Sequence, residues 1–285
     1  MEFERDSLLQ SVLFAPLYAA IANLKADQFP TLDELNALLF NREISVQGGS
    51  GLRFVAPQAG RLAFEEQYEP RCYLSGEVQT RAENWHDLFN ALVWLTFPKA
   101  KAAINARHYR ALTDINAEMS SQRGAVRDAN TLLDESGVIV AYADEGLADL
   151  LRNFQWRELF WQRRDEVRSS TRFYIFGHGL YEKAMQPYVG MTGHGLLIRV
   201  EQGFFGLPIE QQLAYLDDKV AEYLADSQYC RCTHELSPVP LLGVPEWSVD
   251  NECSSYYDNT AYFRPGRRKF VRVDSRNCKF SGKRS

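Results

Sequence analysis

The sequence predicts a helix-rich protein of the α+β or α/β class, with a small, partly parallel sheet that carries a βαβα unit at 138–187. Two short apolar runs, residues 137–142 and 172–176, indicate buried strands of this unit. A helix over 145–166 separates them, and a second helix begins at His178. Because strands joined by a helical crossover usually pair in parallel, we expect these two strands to be parallel neighbours.

The segments before this unit are predicted to be mostly helical. Residues 6–24 and 31–40 follow helical spacing, and Thr31 with Glu34 forms a capping box for the second helix. Asn84 is the predicted N-cap of a helix over 84–95. Two further elements are expected nearby, a small hairpin over 52–55 and 61–64 and an alanine-rich helix from 99 to about 119.

The segments after the unit add a predicted third strand over 196–200 and a helix over 210–224. The last sixty or so residues are rich in Pro, Gly and Tyr, and we expect them to wrap the surface. Of the 285 residues, 45% are hydrophobic, which is enough for the core of one globular domain over 1–263.

Charge and cysteine content limit the class of protein. Residues 264–285 form a basic tail with nine Lys or Arg and one Asp, either a solvated terminus or a contact for an acidic partner or nucleic acid. Polar residues and a proline interrupt the apolar run from Leu8 to Leu24, so no membrane span is expected. Five cysteines without a secretory signal predict reduced thiols and a cytoplasmic location.

The first candidate site surrounds His178, which follows a predicted strand and opens a helix. Ligands in open α/β sheets bind beyond the carboxyl ends of strands. Gly177 and Gly179 flank the histidine and would permit a sharp turn of the backbone or let a ligand come close. Glu182 lies four residues on, so it shares a helix face with His178. The pair predicts a metal site or a carboxylate-oriented base, and the alternative is an intrahelical hydrogen bond without function.

The second candidate site is the adjacent pair His86 and Asp87, with Asn90 on the same sector of the 84–95 helix. An HD-type phosphohydrolase needs a further histidine upstream, and His86 is the first histidine of the chain, so that class is disfavoured. The alternative is structural, with Asp87 capping the helix and His86 satisfied in the core.

The third candidate site is a polar edge formed by residues three or four apart, namely Asp128, Thr131, Asp134 and Glu135. Carboxylates at this spacing suit a divalent cation. The alternative is an ion-pair network in which Arg123 and Arg127 neutralise the acids.

Weaker candidates complete the set. His194 is predicted in a flexible loop from which it could approach the His178 site, and His108 is a lone histidine in the alanine-rich helix. Cys230, Cys232 and His234 have the ligand types of a zinc site, but the one-residue spacing of the cysteines is unusual for such a site.

Four stretches resemble a known family. Residues 84–99, 127–138, 176–183 and 237–265 carry runs such as NWHDLFNALVW, FGHGLYEK and SPVPLLGVPEW, which are similar to the motifs of a bacterial family known as domain of unknown function 3025. The resemblance covers roughly 80–265 and implies an intracellular protein without an assigned activity. Where the family has Pro-Gly-Trp, this chain has Glu246 in the middle position.

Two hypotheses for the function follow. The first is a metal-assisted hydrolase with a divalent metal ion as cofactor and all three sites in one cleft. Its predicted metal ligands are His178, Glu182, Asp134 and Glu135. Its predicted catalytic residues are His86, Asp87, His178 and Glu182, with His86 as the base for a metal-activated water and Asp87 as the group that orients it. Its predicted substrate-binding residues are Asn90, Asp128, Thr131 and His194. The second hypothesis is a non-catalytic binding module whose polar cluster is a structural hydrogen-bond network.

Overall fold

The computed structural model describes residues 3–40, 42–113 and 120–266. The basic tail from residue 267 onward and the predicted helical residues 114–119 lie outside the described residues. The described α-helices are α1 (Arg5–Gln10), α2 (Tyr18–Ile21), α3 (Leu32–Ala37), α4 (Tyr68–Ser75), α5 (Trp85–Thr96), α6 (Pro98–Thr113), α7 (Ser120–Ser136), α8 (Glu145–Arg152), α9 (Arg164–Ser170), α10 (His178–Ala184) and α11 (Ile209–Ala225). The strands are β1 (Arg53–Val55), β2 (Glu77–Gln79), β3 (Gly137–Tyr142), β4 (Thr171–Ile175), β5 (Thr192–Arg199) and β6 (Ser237–Pro240).

The main sheet has four strands in the order β4–β3–β5–β6. Strand β3 pairs in parallel with β5, whereas β4 and β6 run antiparallel to their neighbours. A separate two-stranded sheet pairs β1 with β2 in parallel. The prediction of a helix-rich α+β protein with a partly parallel sheet is therefore confirmed.

The predicted parallel pairing of strands 137–142 and 172–176 is wrong. Thr171, the first residue of β4, pairs with Tyr142, the last residue of β3, so the connection leaves and re-enters the sheet at the same end. This connection is not one continuous helix, because Phe154, with a positive φ of 60°, separates α8 from α9. The break lets the chain fold back instead of traversing the sheet, as a right-handed crossover would require.

The antiparallel pairing of β3 with β4 brings the end of α7 beside the start of α10. The backbone N–H groups of Phe176 and Gly177 both donate to the carbonyl of Gly137 at 2.9 Å. A parallel pair would have left the start of β3 roughly 16 Å from the end of β4, at about 3.3 Å per residue. The candidate site therefore lies at the amino end of β3, not at the shared carboxyl ends of two parallel strands.

The sequence signals that mark the ends of helices agree with the structure better than the predicted pairing of strands does. The capping box at the start of α3 is confirmed, and Asn84 caps α5 by accepting a hydrogen bond from the backbone N–H of Asp87. The hairpin predicted over 52–55 and 61–64 is wrong, because β1 pairs with β2 instead. Pairing between segments far apart in sequence depends on packing, which local composition does not report.

The two ends of the described chain also differ from expectation. The predicted helix over 6–24 is divided into α1, a 3-10 turn that contains Pro16, and α2. The C-terminal segment does more than cover the surface, since β6 joins the sheet and Tyr257 and Phe263 are buried. None of the helices in the described ranges is long and apolar enough to cross a bilayer.

Helix α5 lies at the centre of the core. Residues 87–95 are buried without interruption, as expected for a helix packed on every side. Its neighbour α10 packs along it, with Phe89 of α5 stacked against Tyr181 of α10 at 5.8 Å between ring centroids. His86, in the first turn of α5, is thereby held at the edge of a rigid core and beside the start of α10.

Candidate metal centre

A polar cavity of about 380 Å³ opens between the helices that carry the predicted site residues. Its lining comprises Pro57, Tyr68, Glu69, Gln79, Arg81, His86, Asp87, Asn90, His108, Thr131, Asp134, Glu135 and His178. Side chains from α4, α5, α6, α7 and α10 therefore meet in one place. The size is within the range of small-molecule sites in proteins.

Three of these side chains present ligand atoms to a common point. The Nε2 atoms of His86 and His178 are 3.0 Å apart, and Oε1 of Glu135 lies 3.9 Å from the first and 3.6 Å from the second. Such a triangle has its equidistant point about 2.1 Å from each atom, the distance at which Zn²⁺ binds nitrogen and oxygen ligands. The three residues meet the geometric requirement for a metal site, and they form the one such group among the described residues.

Glycines at the start of α10 permit this close approach. A Cβ atom on Gly177 would collide with the backbone nitrogens of Ser136 and Gly137, and one on Gly179 would lie 2.6 Å from Oε2 of Glu135. The φ of Gly177 is −64°, which any residue adopts. The glycines therefore allow a different kind of contact from the two predicted: their lack of a side chain lets α10 lie against the end of α7 and places His178 beside Glu135.

A carboxylate lies near the Nδ1 atom of each of the two imidazoles, His86 and His178. Nδ1 of His86 lies 3.1 Å from Oε2 of Glu182, and Nδ1 of His178 lies 3.7 Å from Oδ2 of Asp134. A carboxylate on Nδ1 favours the tautomer with its proton on that nitrogen, and metal-binding histidines are usually supported in this way. In His86 this tautomer leaves the Nε2 lone pair facing His178, whose own Nδ1 is too far from Asp134 for a hydrogen bond and has no other partner.

Burial keeps the imidazole of His178 neutral. Burial lowers the pKa of His178 to about 4, although the nearby Asp134 carboxylate opposes this effect. Burial also opposes ionisation of Asp134, but its ion pair with the buried Lys101 holds the pKa of Asp134 below the usual range. Burial raises the pKa of Glu135, against the influence of His86. At neutral pH His178 is therefore an unprotonated imidazole, the form that binds a metal ion.

Comparison with known proteins identifies the family. The family model described as protein of unknown function (DUF3025) matches residues 52–267. The chain belongs to this family. The match extends further towards the N-terminus than the motifs seen in the sequence, and it includes α4 and the whole lining of the cavity. No curated protein and no solved structure gives a significant match to the chain. Glu246, at the position where the resemblance led us to expect glycine, adopts a positive φ of 72°.

Asp87, Glu182 and His86 make contacts that differ from their predicted roles. Asp87 was expected to orient His86 or to cap α5. Its carboxylate instead binds Arg81, with Oδ1 and Oδ2 at 2.8 and 2.9 Å from the guanidinium, and Asn84 caps the helix. Glu182, an expected metal ligand, lies behind His86 and contacts its Nδ1. His86 itself, an expected base, offers its Nε2 as a ligand atom.

The substrate-binding candidates divide into two groups. Asn90 and Thr131 line the cavity. Asp128 is exposed on α7 and is not part of the lining. The prediction that His194 lies in a flexible loop is wrong, because His194 is in β5, paired with Gly137, and does not line the cavity. The candidate zinc ligands Cys230, Cys232 and His234 form no metal-binding group within the described ranges.

Sequence reasoning missed Glu69, which lines the cavity, and two residues that hold lining acids in place. Lys101 pairs with Asp134, and Asn105 binds Glu69. Together with His108 these side chains recur at helical spacing on the buried side of α6. Polar residues at that spacing in an alanine-rich helix were a usable signal. Nothing in the segment around Glu69 distinguished it from a surface acid.

Proposed function

We propose that the protein binds a divalent metal ion through His86, His178 and Glu135 and uses it to hydrolyse a substrate held in the adjoining cavity. Two histidines and one carboxylate, with coordination positions left open, are the ligand set of many catalytic zinc and non-haem iron(II) sites. A metal held in this way lowers the pKa of a bound water and polarises the bond under attack.

The observation that carries the proposal is the approach of the two imidazole nitrogens. Glu182 favours a proton on Nδ1 of His86, so the lone pair of His86 Nε2 lies 3.0 Å from Nε2 of His178, whose Nδ1 has no hydrogen-bond partner. At that distance the two nitrogens share either a single proton or a cation that both lone pairs bind. The carboxylate of Glu135 beside them supplies negative charge to the same point, which favours a divalent cation over a single shared proton.

Metal titration of the purified, chelator-treated chain tests this proposal. We expect one Zn²⁺ per chain by calorimetry and elemental analysis. The variants His86→Ala, His178→Ala and Glu135→Gln should each bind at least about 100-fold more weakly. His194→Ala is the matched control, because that histidine is partly buried but does not line the cavity. Equal and negligible binding of Zn²⁺, Mn²⁺ and Fe²⁺ by the parent and all variants would overturn the proposal.

A structural network remains the second candidate function. It is favoured by two ion pairs that neutralise cavity acids without a metal, Lys101 with Asp134 and Arg81 with Asp87. The partners predicted for Asp134 were different, namely Arg123 and Arg127: Arg127 is exposed, and the side chain of Arg123 lies outside the described residues. If no cation binds and His178→Ala lowers only the free energy of unfolding, the binding-module hypothesis replaces the enzyme.

A further inference from the structure

We infer that Glu69 is a catalytic residue of this site and donates the proton that the leaving group takes. The inference rests on the proposed hydrolytic function and adds to it a group that binds no metal. Glu69 is carried by α4, away from the helices that supply His86, Glu135 and His178. A substrate in the cavity would therefore contact the metal ligands on one side and Glu69 on another.

Elimination among the acids of the cavity points to Glu69. Four carboxyl groups line it, those of Glu69, Asp87, Asp134 and Glu135. Two of them are bound in ion pairs, one with Arg81 and one with Lys101. Glu135 offers its oxygen to the metal point. Glu69 is the lining acid that has neither role, since it makes no ion pair within 4.0 Å in the described part of the chain.

The carboxyl group of Glu69 is held in place by an uncharged partner. Asn105 donates from Nδ2 to Oε2 of Glu69 at 2.6 Å, and the same Nδ2 donates to the backbone carbonyl of Glu69 at 3.0 Å. A neutral amide fixes the position of the carboxyl without neutralising a negative charge. The group is therefore oriented but not locked in its ionised form, as a proton donor requires.

The surroundings of Glu69 favour its protonated form. Burial raises the pKa of Glu69, and the carboxylate of Asp134 on α7 acts in the same direction. His108, the hydrogen bond from Asn105, and Lys101, all on α6, lower the pKa of Glu69 without outweighing burial, and Tyr68 and Cys72 are the neighbouring titratable groups on α4 itself. A partly buried acid of this kind retains a proton at a higher pH than an ordinary glutamic acid.

A polar wall next to Glu69 provides contacts for the leaving group. Nδ2 of Asn90 donates to the hydroxyl of Tyr68 at 2.7 Å. Asn90 is only 6% exposed, and its Oδ1 has no hydrogen-bond partner. A buried polar atom of this kind is costly unless a ligand satisfies it. Asn90 and Tyr68 would therefore bind a polar group of the substrate beside Glu69.

The step is balanced as a hydrolysis. The oxygen of the attacking water forms the new bond, and the bond to the leaving group breaks. The leaving group keeps the electron pair of that bond and takes the proton of Glu69. One proton of the water passes to solvent, and Glu69 then regains a proton from solvent, so that one water is consumed.

Leaving-group dependence tests the role of Glu69. The Zn²⁺-loaded chain is assayed with phenyl acetate, p-nitrophenyl acetate, phenyl phosphate and p-nitrophenyl phosphate. The variants are Glu69→Gln, which retains an oxygen for Asn105, and the control Glu65→Gln, an exposed acid outside the cavity. p-Nitrophenolate leaves readily without a proton, whereas phenolate benefits from one. We expect Glu69→Gln to slow the phenyl ester by about 100-fold and its nitro analogue much less, with unchanged Zn²⁺ affinity.

The alternative outcomes separate this inference from the proposed function. Unchanged rates in Glu69→Gln, or an equal loss on both members of an ester pair, would exclude proton donation and leave the metal site standing. A loss of Zn²⁺ affinity in that variant would assign Glu69 to the structure of the site and also overturn the inference. Failure of the metal-loaded parent to hydrolyse any of the four esters would overturn the hydrolase proposal and this inference with it.

Discussion

Replacement of Glu182 by Gln should weaken metal binding without removing a ligand. Oε2 of Glu182 lies 3.1 Å from Nδ1 of His86, so the carboxylate raises the basicity of the imidazole and fixes its orientation. Glutamine retains an oxygen that can accept the same hydrogen bond, but it loses the negative charge. The variant therefore isolates the electrostatic support that Glu182 gives to His86.

The expected loss of metal affinity follows from the solvent exposure of the Glu182 and His86 side chains. Loss of an outer carboxylate typically lowers metal affinity by about 10- to 100-fold. The side chain of Glu182 is 50% exposed and that of His86 32%, so solvent screens part of their interaction. We therefore expect a loss near the lower limit, about tenfold, which corresponds to about 1.4 kcal/mol in binding free energy.

Competition with a chromophoric chelator measures this difference. The affinity for Zn²⁺ is compared in the parent, Glu182→Gln and Glu222→Gln, whose glutamate pairs with Lys219 on the surface and is 64% exposed. The surface variant should match the parent. If Glu182→Gln binds within twofold of the parent while His86→Ala loses binding, the carboxylate gives no support to the ligand and the reasoning fails.

Three further predictions concern the framework of the site. Asp87→Asn breaks the contact with Arg81 and should lower the free energy of unfolding in urea by about 1–2 kcal/mol while Zn²⁺ affinity stays unchanged. Gly177→Ala forces a methyl group against the backbone at the end of α7. The variant should lower the free energy of unfolding by about 1–3 kcal/mol and should also weaken the affinity for Zn²⁺. Burial raises the pKa of Asp217 from 3.8 to about 6, so the folded chain holds a proton that the unfolded chain loses in this range. The stability of the parent relative to Asp217→Asn should therefore fall as the pH rises from about 4 to about 6, by on the order of 2–3 kcal/mol in urea titrations.

Each of these has an outcome that contradicts it. A tenfold loss of Zn²⁺ affinity in Asp87→Asn would restore Asp87 to a role beside the metal. Gly203→Ala is the control for Gly177→Ala, because a Cβ at Gly203 meets no atom within 4 Å, and equal effects of the two would argue against a tight seat for His178. For Asp217, a relative stability that rises over this pH range would show that the folded state favours the ionised carboxylate.

Local signals in the sequence predicted much of the fold. Asn84 marks the start of α5, and the apolar residues that follow it form a helix buried on every side. The runs at 137–142 and 172–176 form strands that are displaced by no more than one residue. These features depend on hydrogen bonds and burial periodicity within a few residues, so composition reports them.

The roles of individual residues in the site were harder to predict from the sequence. His86 and Glu182 are 96 residues apart, and their contact depends on how α10 packs on α5. Asp87, adjacent to His86, was the obvious partner, but consecutive helix residues point in different directions, and Asp87 reaches Arg81 instead. The contribution of Glu69 was invisible because its burial arises from α6 packing on α4.

The sequence by itself determined the start of α5, the two strand segments β3 and β4, the residue types capable of metal chemistry, and membership of the DUF3025 family. Only the tertiary structure decided the direction of β4, which is antiparallel to β3 and so brings His178 beside Glu135. Strand direction depends on where the connecting segment breaks and on the surface against which it packs. Both are non-local properties, because the contacts that decide them join segments far apart in the chain.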